Sequence, residues 1–372
     1  MKCDVLIIGG GVIGLSVARE LHRRGAGTIT IVERGVCGTE SSWAAAGMLG
    51  PQAETDDFGT FFDLCRQSRD MYAGFAGGLE EETGVGVDLD QTGTLSLAFT
   101  DADQERLVER FQLHSDAGFE VEMLSAGEVL RLEPDVAASA RMGLNFKGDW
   151  QVDNRKVLQA LRRYADNNRI EIRENVRVNR LLMNRGVVIG AETDHGRLLT
   201  DQTVLATGAW TSLIKMGQAD FSFVVEPVRG QAIAFRPTGL RLHHVVYSPR
   251  GYVVPRADGR VLAGSTTENV GFDKGLTQDA ADALSGMAIE ILPGLSGLDV
   301  TEHWAGLRPR APDGLPVLGK IAGLSNLIVA TAHYRNGILL APLTAKVVAD
   351  TILKTPGEHA VNDFSPDRFV RP

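Results

Sequence analysis

Cysteine is scarce in this chain, with Cys3, Cys37 and Cys65 the only three in 372 residues. An odd number at these spacings excludes a disulfide scaffold and matches no metal-site pattern. A reducing compartment is therefore expected. Cys65 falls on an apolar helical stripe, which predicts plain burial. Positive charge is also in deficit, because 38 Lys and Arg face 47 Asp and Glu, a formal net charge of −9. A chain of that sign has no general attraction to phosphate backbones, so nucleic acid is not an expected partner. A small anionic substrate would need local arginines working against the overall field. No apolar run approaches the roughly 18–20 residues that cross a bilayer. The opening Met1-Lys2-Cys3-Asp4 lacks the basic-then-apolar layout of a signal peptide. The expectation is a cytoplasmic, soluble protein, with weak association at a membrane surface left open. Internal repeats and low-complexity tracts are absent as well.

What is present reads as an ordinary globular chain, 44 % apolar and 23 % charged, with room for two domains. Residues 4–8 form a short apolar run that ends in glycines, the pattern of a buried parallel strand. Residues 12–24 read as a helix with Val17, Ala18 and Leu21 on one face, and 28–33 as a second strand. Residues 58–83 predict a helix on the spacing of Phe61, Cys65, Tyr72, Phe75 and Leu79. Strands are expected within 85–100, then a charged helical stretch over 101–133 with Ser125 and Glu128 as a capping pair. A helix opened by Asp153 follows over 154–168, then strands near 170–173, 176–183, 187–193 and 203–208. After residue 223 the pattern turns mostly to short strands, until a strand at 326–332 and a helix at 338–353 close the chain. The fold class is thus α/β, or α+β overall: a discontinuous Rossmann-like nucleotide-binding domain with an inserted antiparallel-sheet substrate domain. The expected division is 1–83, 150–222 and 305–372 for the first, and 84–149 and 223–304 for the second.

The chemistry begins at Gly9-Gly10-Gly11-Val12-Ile13-Gly14, between strand and helix. Gly9 permits a tight turn, Gly11 removes a side chain that would block a pyrophosphate, and Gly14 lets helix and strand pack closely. The helix N-terminus offers free N–H groups and the positive end of its dipole. Glu33 ends the second strand, where a carboxylate accepts from ribose hydroxyls and repels a 2′-phosphate. That disfavours NADP. Three features favour FAD over NAD: the small-residue segment Ser41 to Met48, the strand ending Ala206-Thr207-Gly208, and the loop His333-Tyr334-Arg335-Asn336-Gly337-Ile338-Leu339 before the last helix. A helix N-terminus there can face a flavin and stabilise the negative charge of reduction.

Arg308, in Trp304-Ala305-Gly306-Leu307-Arg308-Pro309, and Arg335 both follow apolar stretches. An unpaired guanidinium in such places is costly, and either a substrate carboxylate or an internal Asp or Glu would resolve it. Tyr252 could add a phenol hydroxyl to the same carboxylate or be a core strand residue. Met48 is read as lining the flavin edge or as packing, and His333 as structural rather than as a base.

Taken together, Ser41-Ser42-Trp43-Ala44-Ala45-Ala46-Gly47-Met48-Leu49, the Trp304–Pro309 segment and His333 to Pro342 resemble the glycine oxidases of thiamine biosynthesis, within the D-amino-acid oxidase and sarcosine oxidase superfamily. The resemblance implies non-covalent FAD held by Val12, Ile13, Glu33, Arg34, Ser41, Ser42, Ala46, Gly47, Met48, Val176 and loop 333–339. It implies a substrate with a free carboxylate bound by Arg308, with Arg335 and Tyr252 nearby, and a homotetramer. The implied reaction is oxidation of glycine, sarcosine or small D-amino acids to the imine, with molecular oxygen as acceptor. The imine from glycine would serve thiazole synthesis. The Cα hydrogen would leave as hydride toward the flavin, so no acid–base residue and no metal is assigned. Monomeric sarcosine oxidases attach FAD through a late cysteine, and this chain has none after Cys65. Two alternatives stay open: a D-amino-acid dehydrogenase with another acceptor, and the FAD subunit of a heteromeric sarcosine oxidase-like complex.

Overall fold

The computed structural model describes residues 2–55, 57–216, 223–236, 239–355 and 361–370. Its first strand, Lys2–Ile8, is buried along its second half and lies at the heart of a nine-stranded sheet. Ile29–Val32 pairs parallel to it on one side and Gly196–Leu205 on the other. Glu171–Arg173 extends the first flank and Leu324–Thr331 the second, again in parallel. Helix Val12–Arg23 buries Val12, Leu15, Val17, Ala18 and Leu21 against this sheet and the last helix, Gly337–Leu353. The expected strand at 203–208 is the end of the longer Gly196–Leu205, whose first half pairs antiparallel with Val187–Thr193.

A second sheet of eight strands carries the middle of the chain. Its order runs Val300–Arg310, Glu226–Phe235, Val261–Gly264, Gly251–Pro255, Val245–Ser248, Thr94–Ala98, Met142–Phe146, Glu122–Ser125. All neighbours are antiparallel except Val245–Ser248 beside Thr94–Ala98, which run parallel. That parallel seam joins the segment from before residue 150 to the segment after 223. The expected boundary at 222 abuts residues 217–222, which lie outside the described residues. Val300–Arg310 runs unbroken through position 304.

Several elements differ from expectation. The helix expected over 58–83 is two, Thr60–Asp70 and Tyr72–Thr83, because they turn to different partners. The first packs on Gly337–Leu353 and the second on Asn154–Asn167. The stretch 101–133 holds helix Asp101–Asp116, strand Glu122–Ser125 and helix Ala126–Leu132, with the Ser125–Glu128 capping box present. Asp153 caps Asn154–Asn167 by accepting from the Arg155 and Lys156 N–H groups at 2.9 and 3.1 Å. An unanticipated helix, Gln278–Ile291, covers the second sheet with Leu284, Met287, Ala288 and Ile291. That apolar stripe at helical spacing was masked by the strand-and-turn punctuation around it. Among the described residues no helix is long and apolar enough to cross a membrane, and no cluster of His, Cys, Asp and Glu is disposed to hold a metal.

Candidate active site

A cavity of about 840 Å³ runs from the glycine turn to the second sheet. Gly9 has φ +110°, and a Cβ there would sit 2.3 Å from the Ala206 carbonyl oxygen. A Cβ at Gly14 would lie 1.9 Å from the Gly9 oxygen, so Gly14 packs the turn and does not itself line the cavity. Gly11, Val12 and Ile13 do line it. No side chain of the N-cap residue, Gly11, closes the helix start, although the Val12 N–H donates to the Ser42 hydroxyl at 3.0 Å. Glu33 also lines the cavity and, beyond what sequence indicated, braces the turn. Its Oε2 accepts from the Gly10 N–H at 2.8 Å and its Oε1 from the Gly35 N–H at 3.0 Å. Carboxylate oxygens have lone pairs to spare after one bond each, so ribose hydroxyls can still be accepted.

Arg34 stacks over Trp210, its guanidinium carbon 3.7 Å from the ring centroid, and pairs with Glu40 at 2.9 Å. Trp210 was not singled out from sequence, since a tryptophan five residues past the end of Gly196–Leu205 carries no local signal. Gly47 (φ +71°) lets the backbone pass the Val152 carbonyl, which a Cβ would meet at 2.0 Å. Ala46, Gly47 and Met48 line the cavity behind it. Buried Arg256 holds this segment by donating to the Ala46 carbonyl at 2.6 Å, to Val152 O, and to the Gln151 and Asn154 side chains. Val176, Gly208, His333, Tyr334, Arg335, Asn336, Gly337 and Ile338 complete the wall. Leu339 does not line it; that residue is buried in the core and its carbonyl accepts from the Ser68 hydroxyl at 2.6 Å. His333 bonds Thr344 through Nε2 at 3.0 Å, and burial pushes its pKa down to about 4, so the imidazole is neutral.

The far end of the cavity lies at the second sheet. Arg308 rests over Gly230, where a Cβ would come within 2.2 Å of Nη1. It donates to the Thr266 carbonyl at 3.1 Å and the Ser265 hydroxyl at 2.7 Å. No carboxylate pairs with it among the described residues, and burial works against its charge. Tyr252 lines the same end, its ring lying over Gly264. Arg335 differs, because its Nη2 lies 3.3 Å from Glu54 Oε1. That same oxygen accepts from the Tyr247 hydroxyl at 2.7 Å. The Glu54 carboxylate makes Arg335 hold its proton more firmly than usual, and burial with Glu54 beside it raises the Tyr247 phenol. The Tyr247 oxygen also lies 3.1 Å from the Met48 sulfur. Glu54, Tyr247 and Ser265 escaped sequence reasoning. They come from separate segments and meet only in the fold.

These residues fit a flavin dinucleotide: a bare turn at a helix start, an acceptor at the end of the second strand, and a second helix start in the wall. The model of a family described as FAD dependent oxidoreductase (DAO) matches residues 4–351. A glycine oxidase of Bacillus licheniformis is 34 % identical over 95 % of this chain and 94 % of its own length. A bifunctional ThiO/ThiG protein of Synechocystis is 36 % identical over 99 % of this chain, which spans only 54 % of that longer protein. The crystal structure of glycine oxidase from Geobacillus kaustophilus superposes with a TM-score of 0.91 at 32 % identity, covering 99 % of each chain. Glycine turn, cavity and full-length similarity agree, and the chain belongs to the DAO family of FAD-dependent oxidoreductases.

Proposed function

We propose that this protein is an FAD-dependent oxidase of glycine and other small amines such as sarcosine and small D-amino acids. The observation that carries the reading is Arg308, a half-buried guanidinium with only neutral hydrogen-bond partners, facing the cavity that begins at the glycine turn. A half-buried cation in that state is completed by a ligand carboxylate in a bidentate pair. Tyr252, at the same end, supplies a phenol O–H to that carboxylate. Anchoring the carboxylate there turns the substrate Cα toward the 333–338 loop and fixes its approach, which is where the rate advantage of positioning arises. FAD held along Gly11, Val12, Ile13 and Glu33 would supply the two-electron acceptor for oxidation of the Cα–N bond, with oxygen as the final acceptor and hydrogen peroxide its product. The imine product hydrolyses to the 2-oxo acid and ammonia, or methylamine where sarcosine is the substrate, and the imine from glycine serves thiazole synthesis. The neutral His333, engaged with Thr344, holds the loop rather than moving a proton.

The same reading takes 1–83, 150–222 and 305–372 as the FAD-binding part and 84–149 with 223–304 as the substrate part. It takes the protein as a cytoplasmic homo-oligomer holding FAD non-covalently. The test uses purified holoenzyme. Glycine is expected to bleach the flavin without air and to yield peroxide in air. Bleaching without peroxide would instead indicate a dehydrogenase, and failure of glycine, sarcosine and D-alanine alike to bleach the flavin would overturn the proposal.

A further inference from the structure

The substrate end of the cavity holds two arginines and one acid. Arg335 is matched by Glu54, whereas Arg308 meets only the Thr266 carbonyl and the Ser265 hydroxyl. The phenols of Tyr252 and Tyr334 also act on Arg308, as do Arg335, which opposes its charge, and Glu54, which favours it at longer range without a hydrogen bond. With Glu54 ionised, the three charged groups therefore sum to a single positive charge. We propose that Glu54 is a specificity-determining residue: by occupying Arg335 it leaves the pocket one uncompensated cation, and so selects amines with one carboxylate over those with two. The inference rests on the reading of Arg308 as a carboxylate anchor.

Glu54 is held in place by its backbone neighbours. Buried Asp149 accepts from the Gln52 N–H at 3.0 Å and the Ala53 N–H at 2.7 Å. On the carbonyl side, one nitrogen of Arg110 donates to Gln52 O at 3.1 Å, to Ala53 O, and to Thr55 O at 3.0 Å. The segment is thus gripped from both polarities, with Glu54 between the grips. Tyr247 fixes the carboxylate itself. A second substrate carboxylate arriving at Arg335 would meet an acid already seated there. Displacing that acid would leave the Glu54 carboxylate, the more buried partner, without its cation, which is unfavourable. The first carboxylate meets no such competitor at Arg308.

The test titrates the holoenzyme with acetate and with malonate, which carry one and two carboxylates, reading the perturbation of the flavin visible spectrum. E54Q keeps the shape of the side chain and an acceptor for Tyr247, and leaves both backbone grips intact. It is expected to tighten malonate relative to acetate by about tenfold or more, the scale of one charge-assisted pair. In E54Q/R335Q the second free cation is gone, and the malonate gain should vanish while acetate still binds. An unchanged malonate-to-acetate ratio in E54Q, or a gain that survives in the double variant, would overturn the role of Glu54 alone. Failure of acetate to perturb the wild type would remove the Arg308 anchor, and with it both readings.

Discussion

The two ends of the cavity are built from different material. At the cofactor end the decisive approaches are backbone against backbone: Gly9 on Ala206, Gly14 on Gly9, Gly47 on Val152. At the end proposed for substrate they are side chain against side chain: Arg308 with Ser265, Arg335 with Glu54, Tyr247 with Glu54. Backbone contacts have no room for a methyl group, so that end tolerates little change. Side-chain contacts can be rewritten one charge at a time, so that end can be retuned while the fold stands.

The largest effect expected from this contrast is at Gly9. Gly9→Ala forces a Cβ into the Ala206 carbonyl at a φ that side chains avoid. It should abolish FAD retention, read as the flavin-to-protein absorbance ratio. Gly11→Ala, whose Cβ would meet only the Ser42 hydroxyl at 3.2 Å, should fold and retain partial flavin. Equal behaviour of the two would break the contrast. Next in size is Arg308→Ala. It should raise the KM for glycine by about 100-fold or more, the scale of losing a charge-assisted anchor, with flavin content unchanged. Loss of flavin at unchanged KM would show that the two ends are not separable.

The smallest effect is in the pH dependence of stability, where the two regions have opposite signs. His333 has its pKa pushed from 6.5 down to about 4 by burial. A depressed folded pKa contributes stability that is present above pH 6.5 and lost as pH falls through about 4. Asp149, beneath the Glu54 segment, has its pKa pushed from 3.8 up to about 7 by burial, with its two backbone bonds and Arg69 and Arg110 opposing. A raised folded pKa contributes stability present below pH 3.8 and lost as pH rises through about 7. Thermal melts of wild type, His333→Asn and Asp149→Asn between pH 4 and 7.5 separate the two. The deficit of the His333 variant should grow with rising pH, and any deficit of the Asp149 variant should shrink, each by on the order of 2 kcal/mol. Slopes of the same sign would refute the assignment.

Legibility in the sequence follows the same division. The cofactor end is written in short range, because turn, helix start and terminal Glu33 all fall within one strand–helix–strand unit. Arg308 was legible because a charge after an apolar strand stands out. Glu54 was not, for Pro51-Gln52-Ala53-Glu54 carries no periodicity and its meaning depends on residues near 110, 149, 247 and 335. Arg335 was readable as a cation in the site, but the acid that neutralises it was not. The helix Gln278–Ile291 was hidden for a milder reason: its apolar stripe sits inside a region whose glycines and prolines spell strands and turns.

The strand that carries Arg308 is stitched to the small-residue segment of the cofactor wall. The Trp304 indole donates to the Ala44 carbonyl at 3.0 Å, the Ser41 hydroxyl donates to the Leu307 carbonyl, and Gly306 leaves room for Ala44. Whatever orders that wall also orders the anchor. By thermodynamic reciprocity, whatever factor a bound dinucleotide adds to the grip on a carboxylate at Arg308, the carboxylate adds to the grip on the dinucleotide. Under the proposed function, a carboxylate ligand is therefore expected to act as a preservative of the holoenzyme, raising its affinity for the cofactor.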